Sequence, residues 1–116
     1  MQNLFFIPED YKPDPHKEKF EVLALGANKL LLERIVSHGQ VTEPGTWYDQ
    51  EEDEWVCVLD GEAELSFPDG KFIRLGKGDQ IFLPKHQRHR VEYTSSPCIW
   101  LAVHAASMAA CPISKD

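Results

Sequence analysis

Prolines set the conformation of the first segment. Pro8, Pro13 and Pro15 are spaced so that neither a helix nor a central strand can run through residues 1–15. The stretch reads as an extended arm carrying a short apolar cluster, LFFI, at 4–7. HKEKFEVLAL at 16–25 places Phe20, Leu23 and Ala24 on one helical stripe with Lys17, Glu18 and Glu21 off it, and Gly26 and Asn28 follow as a stop. That pattern predicts a short helix, with a strand as its rival. From Lys29 the pattern changes to short apolar runs cut by turn residues: KLLLERIVS, EWVCVL, EAELSF, KFIRL, DQIFLP, HRVEYT and CIWLAVHA. Asp60-Gly61 reads as a hairpin signal leading into EAELSF, and Pro68-Asp69-Gly70 as a further turn. Short strands at intervals of about ten residues predict an all-β antiparallel sandwich or barrel. The organisation expected is an arm and short helix over 1–28, a barrel over 29–106 and a loose tail over 107–116.

Composition narrows this picture. A chain of 116 residues is one ordinary domain, and 42% hydrophobic with 27% charged residues is neither disordered nor fibrous. No apolar run approaches twenty residues and no basic stretch precedes LFFI, so neither a transmembrane helix nor a signal peptide is expected. Cys57, Cys98 and Cys111 are odd in number and form no CxxC pair, which fits free thiols in the cytoplasm. The net charge of −7 argues against a nucleic-acid partner. It is unevenly spread: residues 1–64 hold 15 acids against 5 Lys/Arg, and residues 65–116 hold 4 against 7. Two runs carry most of the contrast, DQEEDE at 49–54 and KHQRHR at 85–90.

Those two runs lie inside a pair of motifs. Glu54 precedes Gly61 with six residues between them, Gly78 precedes Pro84 with five between, and His89 follows. This spacing, over residues 45–93, resembles the two motifs of the cupin superfamily, and the resemblance implies a single jelly-roll β-barrel. In that family Glu54 and His89 would occupy metal-ligand positions. The His-x-His pair of the first motif is missing: counting back from Glu54, its positions fall on Tyr48 and Gln50 or on Trp47 and Asp49. In the second motif His86 stands for the usual glycine and Tyr93 for the usual asparagine.

The resemblance leaves two functional readings. In one, the barrel binds a small molecule and its metal site is degenerate or absent, with Glu54 and His89 as a hydrogen-bonded pair in a pocket. In the other, Asp49, Gln50, Glu54 and His89 hold one divalent metal (Fe, Mn, Ni or Zn) in a dioxygenase or isomerase. Without metal, a carboxylate beside a histidine in an apolar mouth suits general acid–base work, with Glu54, His89 and Tyr48 as catalytic candidates. Trp47, Tyr48, His86, Arg88, Tyr93 and His104 are the ligand-binding candidates. His104 shares a strand face with Trp100 and Ala102, and either lines the barrel or sits at a strand end on a backbone partner.

Trp55 and Cys57 should point away from Glu54. Glu51, Glu52 and Asp53 are expected in solvent, and Arg88 or Arg90 is expected to pair with Glu51 or Asp53 or to bind an anionic group. No Ser-His-Asp order, phosphate-cradling loop or zinc-finger spacing appears. Expected partners are a small-molecule ligand and a second copy of the chain, the LFFI arm crossing onto it to form a homodimer. Neither a nucleic acid nor a membrane is expected.

Overall fold

The computed structural model describes residues 2–114, and among them there are eight strands and no helix. They are β1 (Lys19–Leu25), β2 (Leu31–Ser37), β3 (Asp53–Asp60), β4 (Ala63–Ser66), β5 (Phe72–Leu75), β6 (Gln80–Leu83), β7 (Arg90–Thr94) and β8 (Cys98–Ala105). Two sheets form, ordered β1-β2-β8-β3-β6 and β5-β4-β7, with every pairing antiparallel. The core draws Ile35, Val56, Val58, Trp100 and Ala102 from the larger sheet and Ala63, Leu65 and Leu75 from the smaller. The sheets therefore bury their facing sides against each other, as in a jelly roll. No helix is long and apolar enough to cross a membrane among these residues. Met1 of the expected arm and Lys115 and Asp116 of the expected tail lie outside the described residues.

The helix expected over 16–25 is instead strand β1. Phe20 pairs with Ile35 and Val22 with Glu33, so the backbone finds its hydrogen-bond partners on β2 rather than within a helical turn. The supposed stop signal is the hairpin turn between the two strands. Asn28 and Lys29 both adopt positive φ (59° and 61°), and the amide of Leu30 donates to the Ala27 carbonyl at 3.2 Å. This is the turn type whose twist suits paired strands. Phe20 and Val22 also favour a strand, and a helical stripe this short also fits a half-covered edge strand.

The turn at Asp60-Gly61 is present, but it does not close a hairpin. It carries the chain from β3 in one sheet to β4 in the other, where β4 pairs with β5 and β7. Gly61 has φ +90°, and a Cβ there would meet Ser95 Oγ and lie 2.6 Å from the Pro97 carbonyl oxygen. Backbone conformation and close approach both require glycine.

The arm is held on the outer face of the larger sheet by Arg34. Its guanidinium donates to the carbonyls of Leu4 (3.0 Å) and Phe6 (2.6 Å) and to the Glu21 carboxylate (2.9 Å). Phe5 and Phe6 remain 52% and 64% exposed. At the other end, the Met108 amide donates to Asp53 Oδ2 at 2.8 Å, and residues 108–113 border the outer face of β3, β6 and β8 beside Trp55 and Phe82.

Candidate functional site

Strand alternation and register place one set of side chains inside the barrel. On β3 and β8 the pairs Glu54–His104, Val56–Ala102 and Val58–Trp100 face inward, and β2 adds Glu33 and Ile35 beside Ala102 and Trp100. Glu18, just before β1, and Phe20 on it reach the same space, and Tyr48, Gln50 and His89 close it from the loops and the residue preceding β7. All of these groups except Val58 and Ala102 line a cavity of about 90 Å³, whose remaining walls are Leu65, Leu83 and Val91.

Its polar wall is anchored by hydrogen bonds. His104 Nε2 lies 3.0 Å from Glu33 Oε1 and 3.5 Å from Glu54 Oε2. Ser37 joins the other side, its hydroxyl donating to Glu18 while accepting the Trp100 indole N–H at 3.0 Å. His89 Nδ1 lies 3.0 Å from the Gln87 carbonyl oxygen, which can only accept. The ring is therefore protonated at Nδ1, and Nε2 is left as an acceptor. The His89 ring stacks on Tyr48 at 5.3 Å between centroids, and their backbones bridge through Tyr48 N to His89 O (2.8 Å) and His89 N to Tyr48 O (3.1 Å).

Burial shifts the ionisation of these groups. Glu54, 7% exposed, has its pKa pushed up to about 7 by loss of solvent, with the Glu33 and Glu18 charges adding to the rise and His104 opposing it. Burial also raises Glu18 against the pull of its Ser37 hydrogen bond, and Glu33 pushes it further. The hydrogen bond that His104 donates to Glu33, together with the Glu54 charge, raises the pKa of His104. Burial lowers His89 and raises Tyr48, the latter helped by the Glu18 and Glu54 charges.

Of the residues singled out in the sequence, Glu54, His89, Tyr48, Gln50 and His104 converge on this cavity. Glu54 and His89 do not form the hydrogen-bonded pair expected of them, because Glu54 contacts His104 instead. His104 lines the barrel and bonds to a side chain rather than the backbone. Asp49 and His86 lie outside, paired with each other at 2.8 Å and both well exposed. Trp47 is also outside, with the Arg88 and Arg90 guanidinium carbons 5.5 and 5.6 Å from its ring centre. Tyr93 lies under Arg74 on the smaller sheet.

The acidic and basic runs do meet, through the exposed Asp49–His86 pair and otherwise through backbone groups of the basic run. Asp53 is buried rather than solvated: its carboxylate accepts the Lys85 and Met108 amides, which hold its pKa below the usual range. His86 N donates to the Gln50 carbonyl at 2.7 Å. Arg90 does not pair with Glu51 or Asp53. It binds Glu92 at 2.9 Å and the carbonyls of Glu43 and Thr46. Trp55 points outward and bonds to Gln80, as the alternation predicts.

The proposed metal donors do not fit a metal centre. Asp49 is turned out to His86, Glu54 contacts an imidazole already held by Glu33, and no group of three or more His, Cys, Asp or Glu among the described residues is placed to hold an ion. The residues that sequence reasoning missed are Glu18 and Glu33. Glu18 fell within the supposed helix, and Glu33 was one polar position in an apolar run. The signal for both was β1–β2 pairing, which the Asn28-Lys29 turn announces only once it is read as a hairpin.

A family model for the cupin domain matches residues 34–104. A search of curated proteins found no match. Among solved structures, a Ralstonia eutropha protein described as a candidate mannose-6-phosphate isomerase is 37% identical, with TM-score 0.81, over 92% of this chain and 98% of that one. A cupin superfamily protein from Desulfitobacterium hafniense is 17% identical (TM-score 0.68, 84% of each chain). An RmlC-like cupin protein from Desulfovibrio desulfuricans is 19% identical (TM-score 0.64, 91% and 97%). The last two share the fold.

Proposed function

The chain belongs to the cupin superfamily, and from that premise we propose that it binds a small molecule in the barrel cavity, recognised by Glu54, Glu33, His104 and His89. The observation that carries this reading is the convergence of buried, hydrogen-bond-capable groups on an apolar-walled cavity: Glu54 and His89 are 7% and 6% exposed, yet both line the cavity. The cavity volume of about 90 Å³ suits a ligand of a few non-hydrogen atoms. Because the donor set does not fit a metal ion, recognition runs through the side chains themselves.

A second reading, proton transfer on the bound molecule, is favoured by Glu54. A carboxyl group with a pKa of about 7 is available near neutrality as either acid or base, with His89 and Tyr48 lining the same cavity. The likeness to a candidate isomerase agrees with chemistry of this kind. A phosphorylated sugar is a poor substrate for this cavity, since Glu18, Glu33 and Glu54 line it and no Lys or Arg does among the described residues.

The three free thiols support a reducing, cytoplasmic setting. The exposed Phe5 and Phe6 of the arm support pairing with a second copy. The barrel-binding reading is tested by screening small metabolites for thermal stabilisation of the wild type, Glu54→Gln and His89→Ala. Hits that shift the wild type and lose their effect in both variants are expected. No hit at all, or hits indifferent to both substitutions, would overturn it.

A further inference from the structure

The cavity wall has an excess of hydrogen-bond acceptors, because most of its side-chain donors are already used by protein acceptors. The Trp100 indole N–H is given to Ser37, the Ser37 hydroxyl to Glu18, His104 Nε2 to Glu33 and His89 Nδ1 to the Gln87 carbonyl. The remaining donors on the lining are the Gln50 amide and the Tyr48 hydroxyl. Left over as acceptors are the Glu54 carboxylate, the second oxygens of Glu18 and Glu33, and His89 Nε2. Glu54 has one polar contact among the described residues, His104 Nε2 at 3.5 Å, which is long for a hydrogen bond. His89 is 6% exposed, and its Nε2 has no partner among the described residues. Two nine-tenths-buried side chains thus line one partly open cavity with acceptor atoms that no protein donor uses among the described residues.

The charge balance points the same way. Three carboxylates face the cavity against the imidazoles of His104 and His89, with no Lys or Arg on the lining among the described residues. Phe20, Tyr48 and Trp100 put aromatic surface on the same wall, which favours a cation further. An anion would meet like charge, and a neutral alcohol would bring a single donor. A primary ammonium brings three donors and a positive charge on one compact head.

We propose that this cavity is a site for a small primary alkylammonium, its head between the Glu54 carboxylate and His89 Nε2 and its carbon chain against Val56, Leu65 and Leu83. The assignment rests on the barrel-binding reading and names its ligand class.

The test is an NMR titration of the full chain at pH 7.5, following the Trp100 indole N–H. The probes are n-propylammonium chloride, 1-propanol, sodium propanoate and tetramethylammonium chloride, at matched ionic strength. A saturable shift with n-propylammonium is expected, with 1-propanol at least about tenfold weaker, tetramethylammonium weaker for want of N–H donors, and propanoate without effect. Glu54→Gln should weaken n-propylammonium by about tenfold, the cost of one charge-assisted bond. If that variant does not fold, Glu18→Gln, which also removes a cavity carboxylate, should weaken it severalfold.

Saturation by 1-propanol or propanoate as tight as that by n-propylammonium would overturn the assignment while leaving the barrel a small-molecule site. Tighter binding of tetramethylammonium would overturn the hydrogen-bonded head. Absence of a saturable n-propylammonium shift would also overturn the assignment, and the metabolite screen then judges the wider reading separately.

Discussion

Replacing Glu54 by glutamine should change how stability depends on pH, by an amount the structure sets. The folded chain holds this carboxyl at a pKa of about 7 against an ordinary 4.5, chiefly through burial. The folded state therefore keeps a proton that the unfolded chain gives up. The stability tied to that proton is fully present below pH 4.5 and is lost as pH rises through 7. A shift of this size corresponds to about 3 kcal/mol at 1.36 kcal/mol per unit. Glu18 and His104, also raised, lose stability in the same direction as pH rises. His89, lowered, gains it as pH rises toward 6.5. The wild-type curve alone is therefore ambiguous.

The difference between wild type and Glu54→Gln reports the carboxyl together with the pull of its charge on His104, because the amide keeps the shape and does not titrate. Urea unfolding of both proteins at pH 4.5, 6, 7 and 8 gives that difference directly. Any cost of the amide itself is a constant offset. The variant should gain about 3 kcal/mol on the wild type between pH 4.5 and 8. Parallel curves, or a variant that loses ground as pH rises, would refute the argument that Glu54 is a desolvated carboxyl in the barrel.

Other substitutions test other parts of the account. Gly61→Ala, which adds a Cβ against Ser95 Oγ and the Pro97 carbonyl at φ +90°, should cost more than about 2 kcal/mol in urea unfolding. Leu65→Ala, at a core position 2% exposed, should cost about 3 kcal/mol by the same measurement. Arg34→Met removes the bonds to Leu4 and Phe6, so limited proteolysis within residues 2–10 should accelerate by about tenfold while the barrel stays intact. His86→Ala breaks an exposed pair with Asp49 outside the cavity; it should alter stability by less than about 1 kcal/mol and leave ligand binding unchanged in the thermal screen.

Most of the strand plan was readable because each segment from Lys29 onward joins an apolar run to a turn signal. The inward face of β3 could also be read, since alternation puts Trp55 and Cys57 opposite Glu54. Two errors shared one cause, which is that local signals are ambiguous about pairing. Gly26 and Asn28 end a helix or turn a hairpin equally well, and Asp60-Gly61 marks a tight turn without saying which sheet receives the next strand. The expectation of solvated acids failed at Asp53, because its carboxylate is satisfied by amides of Lys85 and Met108 from two distant segments. A pattern along one strand contains no trace of those partners.

Taken alone, the sequence determined an all-β antiparallel sandwich or barrel, and its resemblance to the cupin motifs picked out the barrel and, within it, Glu54 and His89. Strand period and motif spacing are properties of order along the chain, and such properties survive without knowledge of contacts. Tertiary structure decided which acids share the cavity. Glu18, Glu33 and Glu54 lie on three different strands or their flanks, and only the β1-β2-β8-β3 order brings them around His104. It also decided their chemistry. Loss of water and mutual proximity, rather than residue type, push Glu54 up to about 7 and give the barrel its surplus of acceptors.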